Sequence, residues 1–411
     1  MKTLILQGDG IAGLPSPELE GRTPLQVAST PGLDFLAGHG EYGVLKLPND
    51  ASDLSGAMIH LALLGYDSRE YYTGPGPFAG THMEVVLGTQ DVAFLCSLVT
   101  LGSRTGRADG KKLGPQVVME DDTSGGIGTE EARELIGAIN EQIGSETIQF
   151  YAGNAHRHLM VWVGGATRVI CQDPHMALGQ VVSAYLPVGD GSVVVKELME
   201  ASRVVLRDHP INRERENAGL KPANCLWLWG PGKTVDLPKM TERYGISGAM
   251  VSNSDLHLGI GLRAGLEAID ASQDPNADES VFMKYPQVTE TLFRRYDLVY
   301  LHIEEKPNSS PGYVKEKVKR IEEFDQRLVS RLLESLPTFG DYRVVVVCNH
   351  WSPLSEGSGA QPTPFAFFES TNLKNMGYAV QYSEVEAGAS PIGTRDATRI
   401  LDRLFANARV S

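Results

Sequence analysis

Two hydrophobic patterns alternate along the chain. Short unbroken apolar runs, such as "LIL" at 4–6, "LVYL" at 298–301 and "VVVV" at 344–347, are separated by stretches whose apolar residues recur every three or four positions. Runs of the first kind read as strands buried on both faces, and stretches of the second kind as amphipathic helices. "TLILQGDG" opens as a strand. "TPLQVASTPGLDFLAGHG" carries a helix with a glycine stop, and "GAMIHLALLGYD" predicts a second helix closed by Gly65. Between about Tyr71 and Arg207 the pattern changes. Short strands ("MEVVL", "DVAFLCSLVTL", "HLMVWVGG") alternate with turns around one clear helix, "GTEEARELIGAINEQIG", as in a mixed α+β unit.

After "DHPINRERENAGLKPAN" the first rhythm returns. Strands "CLWLWG", "GAMVSN", "YDLVYLHIE" and "YRVVVVCNH" interleave with helices "LPKMTERYG", "LHLGIGLRAG" and the long 314–336 segment, whose charged face reads as solvated. Strands alternating with helices predict a doubly wound, parallel α/β sheet. The expected layout is a discontinuous α/β core, 1–70 and 208–411, with an α+β domain inserted at 71–207.

Composition narrows the partners. At 411 residues the chain exceeds one ordinary core, and 42% hydrophobic with 21% charged residues describes a globular protein. A net charge of -14 disfavours nucleic acid and anionic membrane, and obliges an anionic substrate to meet locally placed arginines. Cys96, Cys171, Cys225 and Cys348 are scattered without a CxxC pair, so they read as small buried hydrophobes in a reducing compartment. "MKTLILQGDG" reads as a first strand rather than a signal peptide, and no apolar run reaches the roughly 20 residues of a membrane span. The expectation is a cytoplasmic protein.

Several blocks then stand in a familiar order: "GDGIAG", "GRTPLQVASTPGLDFLA", "HLALLGYD" with "YYTGPGPF", "DHPIN", "NCLWLWGPG" and "GIGLRAG". Over nearly its whole length the chain resembles the archaeal-type, cofactor-independent phosphoglycerate mutases of the alkaline phosphatase superfamily. That resemblance implies an alkaline-phosphatase-like doubly wound core with an inserted α+β domain. It also implies two divalent metals beside a serine nucleophile, and arginines of the inserted domain holding a phosphorylated substrate. Two metals would stabilise attacking and leaving oxygens and lower the serine's pKa.

The carry-over is partial. Asp9 matches the family's first aspartate. In the register of the nucleophile the chain reads Ser55-Gly56-Ala57, so Gly56 replaces the serine and Ser55 is one position early. The metal-binding segment "APDEAGHDG" reads "EEKPNSSPG" here, leaving Glu304, Glu305 and Lys306. "ADHSTP" reads "CNHWSP", with Asn349 and His350, and Ser358 stands for the last histidine. Asp9, Asn349 and His350 offer a site for at most one weakly held divalent ion. Arg104, Arg107 and Arg157, with Asp173 and His175, retain the substrate side, since a guanidinium fork pairs with phosphate or carboxylate.

Three functions compete. The first is a mutase-like enzyme on a small phosphorylated or phosphonate carboxylic acid, without the two-metal phosphoserine mechanism, drawing acid–base groups from Asp9, His350, Glu304, Lys306 and Ser55. The second is an active phosphoglycerate mutase with Ser55 as nucleophile. The third is a non-catalytic anion-binding or scaffold protein. The bland roles of the same residues are an Asx turn for Asp9, a helix cap for Ser55, a core position for His350 and solvated turns for Arg104 and Arg107.

Overall fold

A computed structural model describes residues 1–48, 56–104, 112–271, 277–304, 312–348, 362–373 and 380–405. In chain order the strands are β1 (Lys2–Gly8), β2 (Glu41–Lys46), β3 (Val92–Ser103), β4 (Val117–Asp121) and β5 (Ile148–Tyr151). They continue as β6 (Arg157–Trp162), β7 (Val169–Ile170), β8 (Val188–Gly189), β9 (Cys225–Gly232) and β10 (Gly248–Ser252). The last are β11 (Glu267–Asp270), β12 (Leu298–Ile303), β13 (Tyr342–Cys348), β14 (Thr363–Glu369) and β15 (Thr394–Asp396).

The chain forms two compact units, Met1–Tyr71 with Leu237–Ser411, and Tyr72–Asp236. The first unit is built on an eight-stranded sheet ordered β11-β10-β12-β1-β13-β14-β2-β15. All its strands run the same way except β14, which is antiparallel to β13 and β2. The apolar runs explain why the sheet is central. In β13, Val344, Val346 and Cys348 join the main core cluster on one face, while Val345 and Val347, also buried, face the other side.

Helix Pro31–His39 packs on the β2–β14 side of this sheet and is capped from a distance. Both oxygens of Asp325 accept from its first turn, Oδ2 from Gly32 N–H at 3.0 Å and Oδ1 from Leu33 N–H at 2.6 Å. Asp325 lies where the 314–336 segment departs from regular helix, in a π turn at Asp325–Val329 between helices Tyr313–Phe324 and Ser330–Ser335. The charged face of that segment is not wholly solvated. Lys317 is 3% exposed and donates from Nζ to Ala12 O at 2.8 Å, because the loop after β1 presents carbonyls that need a buried donor.

The second unit carries a five-stranded antiparallel sheet, β4-β3-β6-β5 with β9 paired to β3. The placement of "CLWLWG" thus differs from the sequence expectation. It lies beside β3 rather than in the eight-stranded sheet, and the chain returns to the first unit at Leu237, not at residue 208. Trp227 is fully buried there, and Trp229, on the same strand, donates from Nε1 to Ser97 Oγ at 3.0 Å. "MEVVL" forms no strand; Val86 is 94% exposed, so the segment has no face to pair. All four cysteines are free, three of them buried. No described helix is long and apolar enough to cross a membrane.

Candidate functional site

At the carboxyl ends of its parallel strands, the first unit gathers a row of polar side chains. The register pairs Gln7 of β1 with His302 of β12, and Val251 of β10 with Leu301, so Ser252, His302 and Gln7 line up across three adjacent strands. Residues two apart share a face, which adds Tyr300 and, just past β1, Asp9. This edge is where open α/β sheets place ligands.

The hydrogen bonds in this row have a direction. Ser254 N–H donates to Ser252 Oγ at 3.1 Å, and Ser252 Oγ lies 2.8 Å from His302 Nδ1. His302 Nε2 lies 2.8 Å from Asp9 Oδ2. From the other side, Tyr300 O–H donates to Gln7 Oε1, and Gln7 Nε2 donates to Asp9 Oδ1 at 2.9 Å. Two hydrogen-bonded chains therefore end on the two oxygens of one carboxylate. His302 and Ser252 are fully buried, and Asp9 is 9% exposed. Burial, followed by the nearby Asp9 charge, holds the Tyr300 hydroxyl well above its ordinary pKa, so it remains a donor.

Two helices cover the row with further imidazoles. His257, on helix Asp255–Arg263, stacks on His302 with ring centroids 3.9 Å apart. His60, on helix Ala57–Leu63, lies 4.7 Å from both His257 and Tyr300. His60 is fully buried, and among the described residues neither ring nitrogen has a hydrogen-bond partner. Burial first, and then the neighbouring His257 and His302, hold its pKa well below the ordinary range, so it is a neutral packing group.

The second unit assembles a different polar group. His175 Nδ1 lies 2.9 Å from Asp122 Oδ2, and that contact, against burial, raises the His175 pKa. Asp173 caps the short helix Pro174–Ala177 by accepting from His175 N–H at 2.8 Å. Burial pushes Asp173 up to about 6, while the Arg157 charge acts in the opposite sense. Burial would also raise Asp121, but bonds from Lys221, Thr123 and Gly125 bring it to about 2. Arg157 is exposed at the start of β6, whereas His158 turns inward at 2% exposure. This alternation follows from strand geometry.

Of the candidates read from the sequence, Asp9 sits at the centre of the first group. Arg157, Asp173 and His175 come together in the second, with Asp122, which the sequence reading passed over. Arg104 is exposed, with its backbone N–H bonded to Gln116 O at 3.1 Å. Glu304 is half-buried at the end of β12, and its charge, after burial, helps raise Tyr285 to about 12. Ser55, Arg107, Lys306, Asn349, His350 and Ser358 lie outside the described residues. His60, His257 and His302 were missed because each sits in an apolar run. The one available signal was a histidine at the carboxyl end of a buried strand, in "LVYLHIE".

The two metals implied by the resemblance can be tested against this geometry. Among the described residues no group of three or more His, Cys, Asp or Glu side chains is placed to hold a metal ion. Asp9, the one described candidate ligand, accepts a bond from Gln7 at one oxygen and faces His302 at the other. The described residues thus do not fit a two-metal centre. Gly56, in the register of the nucleophile, has φ 73° and ψ 0° at the start of its helix. A side chain there costs roughly 1–2 kcal/mol, so this position is built for glycine.

Comparison with known proteins accords with the fold. Residues 37–212 match the family model for 2,3-bisphosphoglycerate-independent phosphoglycerate mutase. The chain is 36% identical to a probable enzyme of that name from Geobacter sulfurreducens, across 98% of this chain and all of the relative. It is 34% identical to phosphoglycerate mutase 2 of Methanothermobacter thermautotrophicus, across 98% of this chain and 96% of the relative. Among solved structures, the cofactor-independent phosphoglycerate mutase of Thermoplasma acidophilum matches with a TM-score of 0.59 at 25% identity, over 99% of this chain and all of that one. A Pyrococcus horikoshii protein shares the fold with a TM-score of 0.70 at 23% identity, over 99% of this chain and 96% of that one. The molecule is thus an α/β protein with the alkaline-phosphatase-like doubly wound core and inserted α+β domain expected from its sequence. It belongs to the 2,3-bisphosphoglycerate-independent phosphoglycerate mutase family.

Proposed function

We propose that this phosphoglycerate-mutase-like enzyme acts on a small phosphorylated or phosphonate carboxylic acid through acid–base chemistry at Asp9, without the two-metal phosphoserine route. One observation carries the reading: Gln7 and His302 each meet one oxygen of Asp9 and orient its carboxylate. Gly56, in its left-handed conformation, supports it by leaving no hydroxyl at the expected nucleophile position. In the second unit, Arg157 supplies a cation beside Asp173 and the His175–Asp122 pair, a set suited to a carboxylate or phosphate once Asp173 takes a proton.

A second reading, interconversion of 2- and 3-phosphoglycerate with Ser55 as nucleophile, is favoured by 36% identity across 98% of the chain to a probable mutase. One experiment separates the two. The chain is assayed with 3-phosphoglycerate in the presence of manganese and again after chelation, and its peptides are searched for phosphoserine. Metal-dependent turnover with phosphate on Ser55 supports the second reading and ends the first. Turnover of a phosphorylated or phosphonate acid that survives chelation, with no phosphoserine, supports the first. Absence of any turnover or ligand-induced thermal shift across a panel of such acids leaves the scaffold role.

A further inference from the structure

Ser252, His302 and Asp9 form a serine–histidine–aspartate chain with both contacts at 2.8 Å. Such a chain can be built to activate its serine. Here burial argues against that use. Ser252 is fully buried and its oxygen already accepts from Ser254 N–H, while the partly exposed end of the chain is Asp9. The chain therefore works towards the carboxylate.

The carboxylate end orients the imidazole. A carboxylate oxygen of Asp9 accepts, so with His302 Nε2 at 2.8 Å the ring places its Nε2–H there. A neutral ring then has Nδ1 as an acceptor, and the Ser252 hydroxyl, 2.8 Å away, can donate to it while accepting from Ser254 N–H. We propose that His302 is a positioning residue: held from behind by Ser252, it donates from Nε2 to Asp9 and, with Gln7 opposite, fixes the carboxylate for reaction. His257, stacked at 3.9 Å, keeps the ring plane from turning. The proposal rests on the proposed role of Asp9, and its test has one arm independent of that role.

The independent arm is heteronuclear NMR on the full chain labelled at histidine. The expected result is a neutral His302 with its proton on Nε2, its Nδ1 resonance moving towards that of an unbonded nitrogen in Ser252→Ala. A charged His302, or a proton on Nδ1 in the parent protein, overturns the proposal whatever the enzyme's activity. The second arm uses His302→Gly with 3-phosphoglycerate, or the phosphorylated acid that is turned over, as substrate. Loss of an orienting partner is expected to lower kcat by about 10–100-fold, with KM unchanged, and added imidazole is expected to restore part of it. Unchanged kcat in a folded His302→Gly protein overturns the positioning role, and so does a loss that imidazole leaves unrescued while His302→Gln restores full turnover. If the parent protein turns over none of these acids while the tautomer is as expected, the functional reading fails and the assignment of the hydrogen-bond chain stands.

Discussion

The two units use the same residue types to opposite electrostatic ends. In the first, three imidazoles pack at the end of a dry sheet, and His60 is held neutral by burial and by its histidine neighbours. In the second, His175 is 39% exposed at its side chain and is paired with Asp122, which favours its charged form. Around the first group the hydrogen-bonding partners converge on one carboxylate, that of Asp9. Around the second, cations and carboxylates meet in pairs: His175 with Asp122, Lys221 with Asp121, Arg215 with Glu131. Access to water separates the two. Where water is excluded an imidazole is cheaper neutral, and where water and a carboxylate both reach it, the proton stays.

The largest effect is expected from Asp9→Asn. If the directional network holds the carboxylate, an amide nitrogen at either oxygen position confronts a donor, His302 Nε2–H or the Gln7 amide. Turnover should fall by about 10²–10⁴-fold with loss of a general base. Chemical denaturation should show a loss of about 1–3 kcal/mol from the mismatched buried donors. A stable, active Asp9→Asn protein would erase the contrast between the units.

His60→Leu probes the dry side alone. Removing a buried imidazole without partners should raise stability by about 1–2 kcal/mol. Because the folded pKa is depressed, the native histidine adds nothing to pH dependence above the unfolded value, near 6.5. Stability is then lost as pH falls below that value, since the unfolded chain takes up the proton first. His60→Leu should therefore also flatten the acid limb of stability measured from pH 7 to pH 4.

Asp122→Asn probes the wet side. The raised His175 pKa means that its stabilising contribution is present below the unfolded value and is lost as pH rises through the folded one. The variant should return the His175 titration, followed by NMR, to its ordinary range. The stability cost at pH 6 should be under about 1 kcal/mol, as for exposed pairs, and should vanish by pH 9. Asp173→Asn tests the same group through the pH slope of stability. An acid raised to about 6 favours the folded state when protonated, so the parent loses stability as pH rises from 4 through 6. The variant keeps the cap to His175 N–H and should lack that slope.

Much of the fold was legible because burial on two faces forces apolar runs: β1, β12 and β13 announce themselves as "LIL", "LVYL" and "VVVV". The order of blocks sufficed for the family. Pairing was less visible. Nothing in "CLWLWG" states that its partner is β3, more than a hundred residues upstream, rather than a strand of the parallel sheet. Lys317 sits among charged neighbours in the sequence and is buried only because a carbonyl of the β1 loop lies within reach.

By itself the sequence determined the central strands β1, β10, β12 and β13, that the sheet is mainly parallel, and that a carboxylate stands at the end of the first strand. Hydrophobic period and local backbone chemistry are properties of neighbours along the chain, so these could be read directly. The tertiary structure alone decided that Ser252, His302 and Gln7 share one row and that their donors meet on Asp9. A hydrogen-bond direction depends on strand register and on which face is dry, and both are settled only when segments hundreds of residues apart pack together.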